Sequence, residues 1–166
     1  GWYPEIHGSR PTFRLQVEAP SGTLAVTSGR CLGHATKNGK TFSEWDMGFP
    51  SEGLSLSAGP YTVEEKVYGR IPVATYFFPE SASLSQNYLN GAGRYLALYE
   101  ELIGPYPFQQ FSIVENFFPT GYGFPSYTLL GSTVIRLPFI IDTSLGHEIS
   151  HCWWGNGVWV DSRQGN

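Results

Sequence analysis

Basic side chains, cysteines and long apolar runs are all scarce in this chain. Its 10 Lys and Arg are outnumbered by 14 Asp and Glu, which gives a formal net charge of −4. A chain with this balance lacks the positive surface by which proteins bind nucleic acid or anionic membranes. No apolar stretch approaches the roughly 20 residues of a membrane-spanning helix, and the first residues lack the basic start and apolar core of a signal peptide. We therefore expect no nucleic-acid partner and no membrane segment in this chain.

The cysteines give little information about the compartment. Only Cys31 and Cys152 are present, and they lie far apart in the sequence. They could pair or remain free, and two buried thiols are the simpler interpretation because unpaired cysteine is often buried.

What the chain has in abundance is glycine, proline and aromatic residues. It has 20 Gly and 12 Pro, 16% of its residues are aromatic, and 41% are apolar. This composition favours a globular fold rich in strands and loops over a helical bundle. Short alternating segments from Phe13 to about Val67 predict antiparallel strands, and Asn38-Gly39 is typical of a two-residue hairpin turn.

The second half of the chain mixes helices and strands. "IPVATYFFPE" predicts a strand, and a helix that Ser81 or Ser83 could cap is expected to run to Gly104, with Gly91 and Gly93 weakening its middle. "QQFSIVENF" and "YTLLGSTVIRL" predict strands on either side of a loop, "FPTGYGFPS". A last helix is expected from Asp142, Thr143 or Ser144, any of which could cap it, to about Gly155. This order predicts an α+β fold.

A possible metal site lies in that last helix. In "GHEISHCWWGN", residues 146–156, two of the four histidines stand four positions apart with Glu148 directly after the first. Residues at this spacing project from one face of a helix, so His147 and His151 present two imidazoles to one point. Imidazole suits Zn²⁺, and Glu148 is placed to take a proton from a zinc-activated water rather than to bind the metal. The alternative is an amphipathic helix that carries two histidines by chance, but burying such a trio without a metal would be costly.

The residues around this trio resemble the zinc-helix signature of the M1 family of aminopeptidases, which are gluzincin metallopeptidases. In that family His-Glu-x-x-His is followed by x-Trp-x-Gly-Asn, and Trp153, Gly155 and Asn156 occupy those places here. "EELIGPYPFQQFSIVENF" is similar to the family's helix, Gly-Pro-Tyr-Pro turn and buried strand, and a looser likeness reaches back to "WYPEI". The resemblance implies a Zn²⁺ cofactor, a peptide substrate and peptide-bond hydrolysis with Glu148 as general base.

The resemblance also implies a domain organisation. Residues 1–67 would be the end of an N-terminal antiparallel β-sandwich-like domain, and residues 68–166 would be the first half of a thermolysin-like catalytic domain. The family's third zinc ligand, a glutamate on the next helix, falls near position 170, so the sequence is interpreted as a fragment ending just after the zinc helix. The remainder of the parent protein is expected beyond Asn166. Asp161 is a less favoured substitute ligand, and two imidazoles alone are expected to bind zinc weakly.

One segment departs from the family pattern. The resemblance places substrate binding at Gly121, Tyr122, Gly123 and Phe124, where the family has Gly-x-Met-Glu-Asn. Phe124 stands where the family has the glutamate that binds the substrate's free α-amine. An aromatic ring cannot pair with an ammonium as a carboxylate does, although a cation–π contact recovers part of the interaction.

The remaining candidate residues lie on strands and in loops outside the trio. Glu115, the nearest upstream carboxylate, is expected to have a structural role at a strand end, whereas Tyr122 and Tyr127 could equally line a pocket or pack in the core. His7 and His34 are expected at the surface. The "YTLLGSTVIR" strand is either an ordinary core strand or the sheet edge that pairs with an extended substrate.

The predicted function is therefore that of a zinc-dependent metallopeptidase, present here as a fragment that is expected to be inactive alone. The alternative is a non-catalytic M1-like module that binds peptides or a partner protein. The intact trio argues against a pure binding module, which has no need for a general base. A plain β-rich structural domain would leave the trio unexplained.

Overall fold

The fold is α+β, as predicted. The computed structural model describes residues 2–6, 8–159, 161 and 164–165. The strands are β1 (Phe13–Pro20), β2 (Leu24–Val26), β3 (Arg30–Lys37), β4 (Lys40–Met47), β5 (Ser57–Gly59), β6 (Thr62–Tyr68), β7 (Ile71–Phe77), β8 (Phe111–Asn116), β9 (Gly121–Phe124) and β10 (Tyr127–Gly131). The helices are α1 (Ser85–Leu102) and α2 (Ser144–Ser150), and a 3₁₀ helix, Pro79–Leu84, leads into α1. Neither α-helix combines the length and apolar character needed to cross a membrane, within the described part of the chain.

The first half of the chain forms antiparallel sheets. β1, β4 and β3 make a three-stranded sheet, and β2 pairs with β5. Asn38 and Gly39 join β3 to β4, with φ angles of 52° and 72°. Two successive residues at positive φ are what a type I′ hairpin turn requires, so the predicted turn is confirmed.

A mixed five-stranded sheet occupies the second half, in the order β6-β7-β8-β10-β9. Its three central strands run parallel, and β6 and β9 run antiparallel to their neighbours at the two edges. The helix α1 makes the crossover from β7 to β8 that a parallel pair needs. β6 pairs along its length with β7 and therefore belongs to the five-stranded sheet. The boundary between the N-terminal sheets and this sheet falls between Gly59 and Thr62. A division of the chain at residue 67 would cut this hairpin.

The two faces of the five-stranded sheet carry separate apolar clusters. One cluster joins the sheet to both helices and includes Val73, Phe111, Leu130, Leu89 and Ile149. The other joins the sheet to the N-terminal strands and includes Trp45, Tyr61, Tyr76, Val114 and Tyr127. Alternate residues of β7 and β8 therefore face opposite clusters, as expected for strands buried on both sides.

Close approach of α1 to α2 fixes the position of α2. A Cβ at Gly91 would lie 2.5 Å from Ile141 Cγ2, and one at Gly146 would lie 2.6 Å from Tyr95 Cε1. The Tyr99 hydroxyl donates a hydrogen bond to the Gly146 carbonyl oxygen at 3.1 Å. Gly91 was expected to weaken α1, but here it provides the space in which the segment before α2 packs.

The helix ends differ from the predicted ones. Neither described α-helix has a side-chain cap. Two of the predicted capping residues bond elsewhere: the Ser81 hydroxyl donates to the Glu115 carboxylate, and the Thr143 hydroxyl donates to the Phe139 carbonyl oxygen. α2 ends at Ser150 rather than near Gly155. The Cys152 amide bonds back only three residues to Ile149, which tightens the last turn.

Two strand predictions were wrong. The stretch predicted as a loop contains β9, and β10 ends at Gly131 although the sequence pattern continues to Leu137. β10 lies between β8 and β9, so it is not the edge of the sheet. The strand at that edge of the sheet is β9, and β6 lies at the other edge.

Candidate metal and catalytic site

The two histidines of α2 direct their rings to one place. His147 Nε2 and His151 Nε2 are 3.2 Å apart, and the ring planes are nearly perpendicular, at 86°. Two nitrogens bound to one tetrahedral zinc ion at about 2.0–2.1 Å would be separated by roughly 3.3 Å. The predicted convergence of these side chains is therefore observed, and the spacing fits a shared ion.

A backbone carbonyl orients the second imidazole. His151 Nδ1 lies 3.3 Å from the Trp154 carbonyl oxygen. Since a carbonyl oxygen can only accept, Nδ1 carries the proton, and the lone pair of a neutral ring is then on Nε2. Histidine ligands of metals are commonly fixed by such a hydrogen bond on the far nitrogen. His151 is thus prepared to bind a cation through Nε2.

The pair of imidazoles is incomplete as a zinc site. Among the residues that the structure describes, no group of three or more His, Cys, Asp or Glu surrounds a common metal position. Asp161, the substitute ligand considered from the sequence, does not join the two histidines. The donor set present fits two of the three protein ligands that a catalytic zinc usually has.

Glu148 lies against the edge strand. A Cβ added at Gly121 would be 3.0 Å from Glu148 Oε1, and one at Gly123 would be 3.3 Å from Glu148 Oε2 and 3.0 Å from His151 Cβ. The two glycines therefore leave the space between β9 and α2 to the carboxylate and the imidazole. No described strand pairs with the outer edge of β9, which lies next to Glu148.

The predicted substrate-binding residues divide between the two faces of β9. Gly121 and Gly123 face α2, whereas Tyr122 and Phe124 project to the opposite face, as strand alternation requires. Tyr122 is 53% exposed. Phe124 stacks on Tyr127, with ring centroids 4.8 Å apart and planes 14° from parallel. Phe124 also lines a cleft at the end of the strand.

Tyr127 belongs to the core rather than to a pocket. It is fully buried, its hydroxyl donates to Ser55 Oγ at 2.7 Å, and burial raises its pKa to about 12. The sequence left open whether this tyrosine lines a pocket or packs, and the structure shows packing.

Glu115 has a structural role, as expected. Its buried carboxylate accepts hydrogen bonds from the Phe78 amide at 2.8 Å and the Ser81 hydroxyl at 3.0 Å, and Arg136 lies 3.7 Å away. These partners satisfy the charge inside the protein. Glu115 is therefore committed to holding the start of the 3₁₀ helix against β8.

The two cysteines do not pair. Cys152, which follows α2, is buried, and burial raises its pKa to about 12, which keeps the thiol protonated.

His34 was expected at the surface, but a bulge after Cys31 turns it inward. Its Nδ1 lies 2.9 Å from Ser43 Oγ and its Nε2 lies 3.3 Å from the Tyr76 hydroxyl, and burial lowers its pKa. His7 lies outside the described residues.

Sequence comparison finds one curated relative among the aminopeptidases. The chain is 25% identical over 156 residues to human aminopeptidase RNPEPL1, an alignment that covers 89% of this chain and 20% of that protein. No protein-family model matches the sequence. The chain thus spans about a fifth of the length of this curated relative.

Solved structures show the same fold. An M1 zinc metallopeptidase from Deinococcus radiodurans superposes with a TM-score of 0.68 at 20% identity, covering 90% of this chain and 35% of that one. A mutant of that enzyme bound to a Tyr-Ser-Ala substrate gives a TM-score of 0.61 at 18% identity, with the same coverage. The chain therefore has the fold of roughly a third of an M1 zinc metallopeptidase.

Proposed function

We propose that this chain is part of an M1-family zinc metallopeptidase, in which His147 and His151 bind zinc and Glu148 is the general base. The observation that carries the proposal is the 3.2 Å separation of the two Nε2 atoms, with the Glu148 carboxylate beside the open edge of β9. The similarity to human aminopeptidase RNPEPL1 supports the same activity class. A module that only binds peptides would have no use for a carboxylate at this place.

The residues of the site divide the chemistry between them. A bound zinc ion would act as a Lewis acid on the attacking water and on the carbonyl of the bond to be cut. Glu148 accepts a proton from that water as its oxygen attacks the carbonyl carbon. As the carbon–nitrogen bond breaks, Glu148 passes the proton to the leaving amine. His147 and His151 supply nitrogen ligands, and the Trp154 carbonyl keeps His151 in the right tautomer.

The edge strand positions the substrate. An extended peptide that hydrogen-bonds to the free edge of β9 would pass Gly121 and Gly123, where the Glu148 carboxylate lies. Because these two positions have no side chains, the peptide backbone and the carboxylate are not separated by protein atoms. β9 thus replaces β10 as the strand to which we assign substrate binding.

The proposal extends to the parent protein. Residues 1–67 and 68–166 are assigned to an N-terminal β-domain and to the first part of the catalytic domain, and the β6–β7 hairpin favours a boundary just before Thr62. The third zinc ligand would be a glutamate of the parent protein near position 170. Such a residue would raise the protein ligands from two to the usual three.

Metal removal tests the proposed function. In the full-length parent, dialysis against a zinc chelator should abolish cleavage of a fluorogenic peptide, and one equivalent of Zn²⁺ should restore it, because the water is not acidic enough to react without the metal. Circular dichroism before and after dialysis provides the folding control. Undiminished cleavage by folded, zinc-free protein would contradict the proposal.

Phe124 leads to a prediction about the substrate's amino terminus. Glu5 and Glu52 lie in the same cleft as Phe124, but Glu5 is exposed and Glu52 is paired with Arg10 at 2.6 Å. Exposed ion pairs contribute only about 0–1 kcal/mol. We therefore expect matched free-amine and N-acetylated peptides to differ in kcat/KM by less than about tenfold. A hundredfold preference for the free amine, roughly 2.7 kcal/mol, would mean that a strong amine anchor exists elsewhere.

A further inference from the structure

Ser126 has an uncommon backbone conformation for its residue type. Its φ is 68°, and among the residues that the structure describes Asn38 is the only other non-glycine residue with a positive φ. Pro125 and Ser126 form the two-residue turn of the β9–β10 hairpin, because Phe124 and Tyr127 on either side of them are paired. A positive φ at the second of two turn residues is usually supplied by glycine or asparagine. A serine that is held there needs a compensating interaction.

The Ser126 side chain makes that interaction. It is buried, and its Oγ accepts a hydrogen bond from the Gly29 amide at 2.6 Å and donates one to the Gly29 carbonyl oxygen at 3.4 Å. Gly29 lies between β2 and β3 and packs so closely on β4 that a Cβ there would overlap the Asp46 carbonyl oxygen. Ser126 therefore holds the β9–β10 turn against the N-terminal sheets, 97 residues away in the sequence.

The backbone of Ser126 makes two further contacts. Its carbonyl oxygen accepts a hydrogen bond from the Ser112 amide, near the start of β8, at 2.9 Å. Its backbone also contacts the thiol of Cys152, the residue that directly follows His151. One buried residue thus joins the N-terminal sheets, the five-stranded sheet and the residues that follow α2.

The β9–β10 turn leads directly into the part of β9 that adjoins the two imidazoles and the carboxylate. Gly121 and Gly123 both pair with β10, and their positions adjoin the Glu148 carboxylate and, for Gly123, also His151. Because the ladder between β9 and β10 makes one hairpin of them, a shift of the turn is carried to these two glycines. The separation between β9 and the Glu148 carboxylate therefore depends on where Ser126 holds the turn.

We propose that Ser126 is a positioning residue for peptide cleavage, which through its hydrogen bonds to Gly29 sets the distance between β9 and the Glu148 carboxylate. The inference rests on the proposed function, in which β9 binds the substrate and Glu148 is the general base. Ser126 acts through the hairpin rather than by contact with the reacting atoms. A small shift is sufficient for a measurable effect, because a misplacement of about 1 Å can lower a rate about 10²-fold.

The test compares Ser126→Ala with Ser126→Gly in the full-length parent. Both variants lose the hydrogen bonds to Gly29, but glycine adopts a positive φ without strain, so Ser126→Gly should have the higher melting temperature. In both variants kcat per folded protein should nevertheless fall about tenfold. KM and zinc content should change little, because β9 keeps its backbone groups and α2 keeps its histidines. Asn38→Gly is the matched control, since it changes the other positive-φ residue, in the β3–β4 turn, and it should keep the kcat of the unmodified protein.

Crystal structures of the same variants separate this inference from the proposed function. Both Ser126 variants should change the distance from Gly123 Cα to the Glu148 carboxylate by more than about 0.5 Å, the tolerance of a productive site, and Asn38→Gly should not. An unmoved hairpin, or an unchanged kcat per folded protein, would overturn the positioning role and leave the peptidase intact. A moved hairpin in a folded, zinc-loaded parent that cleaves no peptide would support the positioning of β9 and overturn the peptidase. An unmoved hairpin in a parent without cleavage would overturn both.

Discussion

Replacing Glu148 with Gln in the full-length parent should lower kcat for peptide cleavage by about 10²- to 10⁴-fold. The amide has almost the same shape as the carboxylate, so it fits the space beside Gly121 and Gly123, but it cannot accept the proton of the attacking water. KM and zinc content should change little, because Glu148 is not assigned as a ligand. Steady-state kinetics together with metal analysis measures all three quantities.

The control for this variant is Glu101→Gln, which removes the charge of an exposed glutamate near the end of α1. It should retain the kinetics of the unmodified protein. If Glu148→Gln kept more than about a tenth of the original kcat, the general-base role would be wrong. Loss of zinc from this variant would instead indicate that Glu148 is a ligand.

The second large effect is expected from the histidines. His147→Ala and His151→Ala should each weaken zinc binding by more than about a hundredfold, since removal of residues that merely orient a ligand already costs 10- to 100-fold. Peptidase activity at low zinc should disappear in both variants. Competition with a fluorescent zinc chelator measures the affinity.

His34→Gln is the matched control, because it replaces a histidine that bonds to Ser43 and Tyr76 away from α2. It should retain zinc even if its melting temperature falls. A variant at His147 or His151 that kept full zinc affinity would remove that residue from the proposed ligand set.

Local sequence information was sufficient to predict the convergence of the two histidines of α2. The positions of His147 and His151 follow from the pitch of a single turn, and no distant contact is needed to bring two residues four apart to one face. The β3–β4 hairpin was predictable for the same reason, because Asn38-Gly39 specifies its own backbone angles. Each of these features depends on residues within a few positions of one another.

The edge strand could not be predicted in this way. Glycine has a low strand propensity, so Gly121 and Gly123 indicated a loop. They form a strand because β10 supplies hydrogen-bonding partners across the sheet and because Glu148 and His151 occupy the space that side chains would need. The residues after β10 gave the opposite error, because a strand was predicted where the structure has turns. "STVIRL" suits a strand, yet the amides of Val134 and Ile135 bond back to Gly131 and form turns.

The cleft was also beyond sequence reasoning. Its walls combine residues near positions 3, 53, 124 and 157, which only the folded chain brings together. The inward turn of His34 depends on a bulge after Cys31 for which the sequence has no local signal. Phe124 was recognised from the sequence by its place in the resemblance, but its stacking on Tyr127 and its position in the cleft are results of the fold.

Anomalous X-ray scattering at the zinc edge from crystals of the full-length parent tests the central claim most directly. The account predicts one strong anomalous peak about 2.0–2.1 Å from both His147 Nε2 and His151 Nε2, with the Glu148 carboxylate outside bonding distance of the ion. A zinc-replete crystal with no peak between these imidazoles, or with its zinc bound only elsewhere, would contradict it.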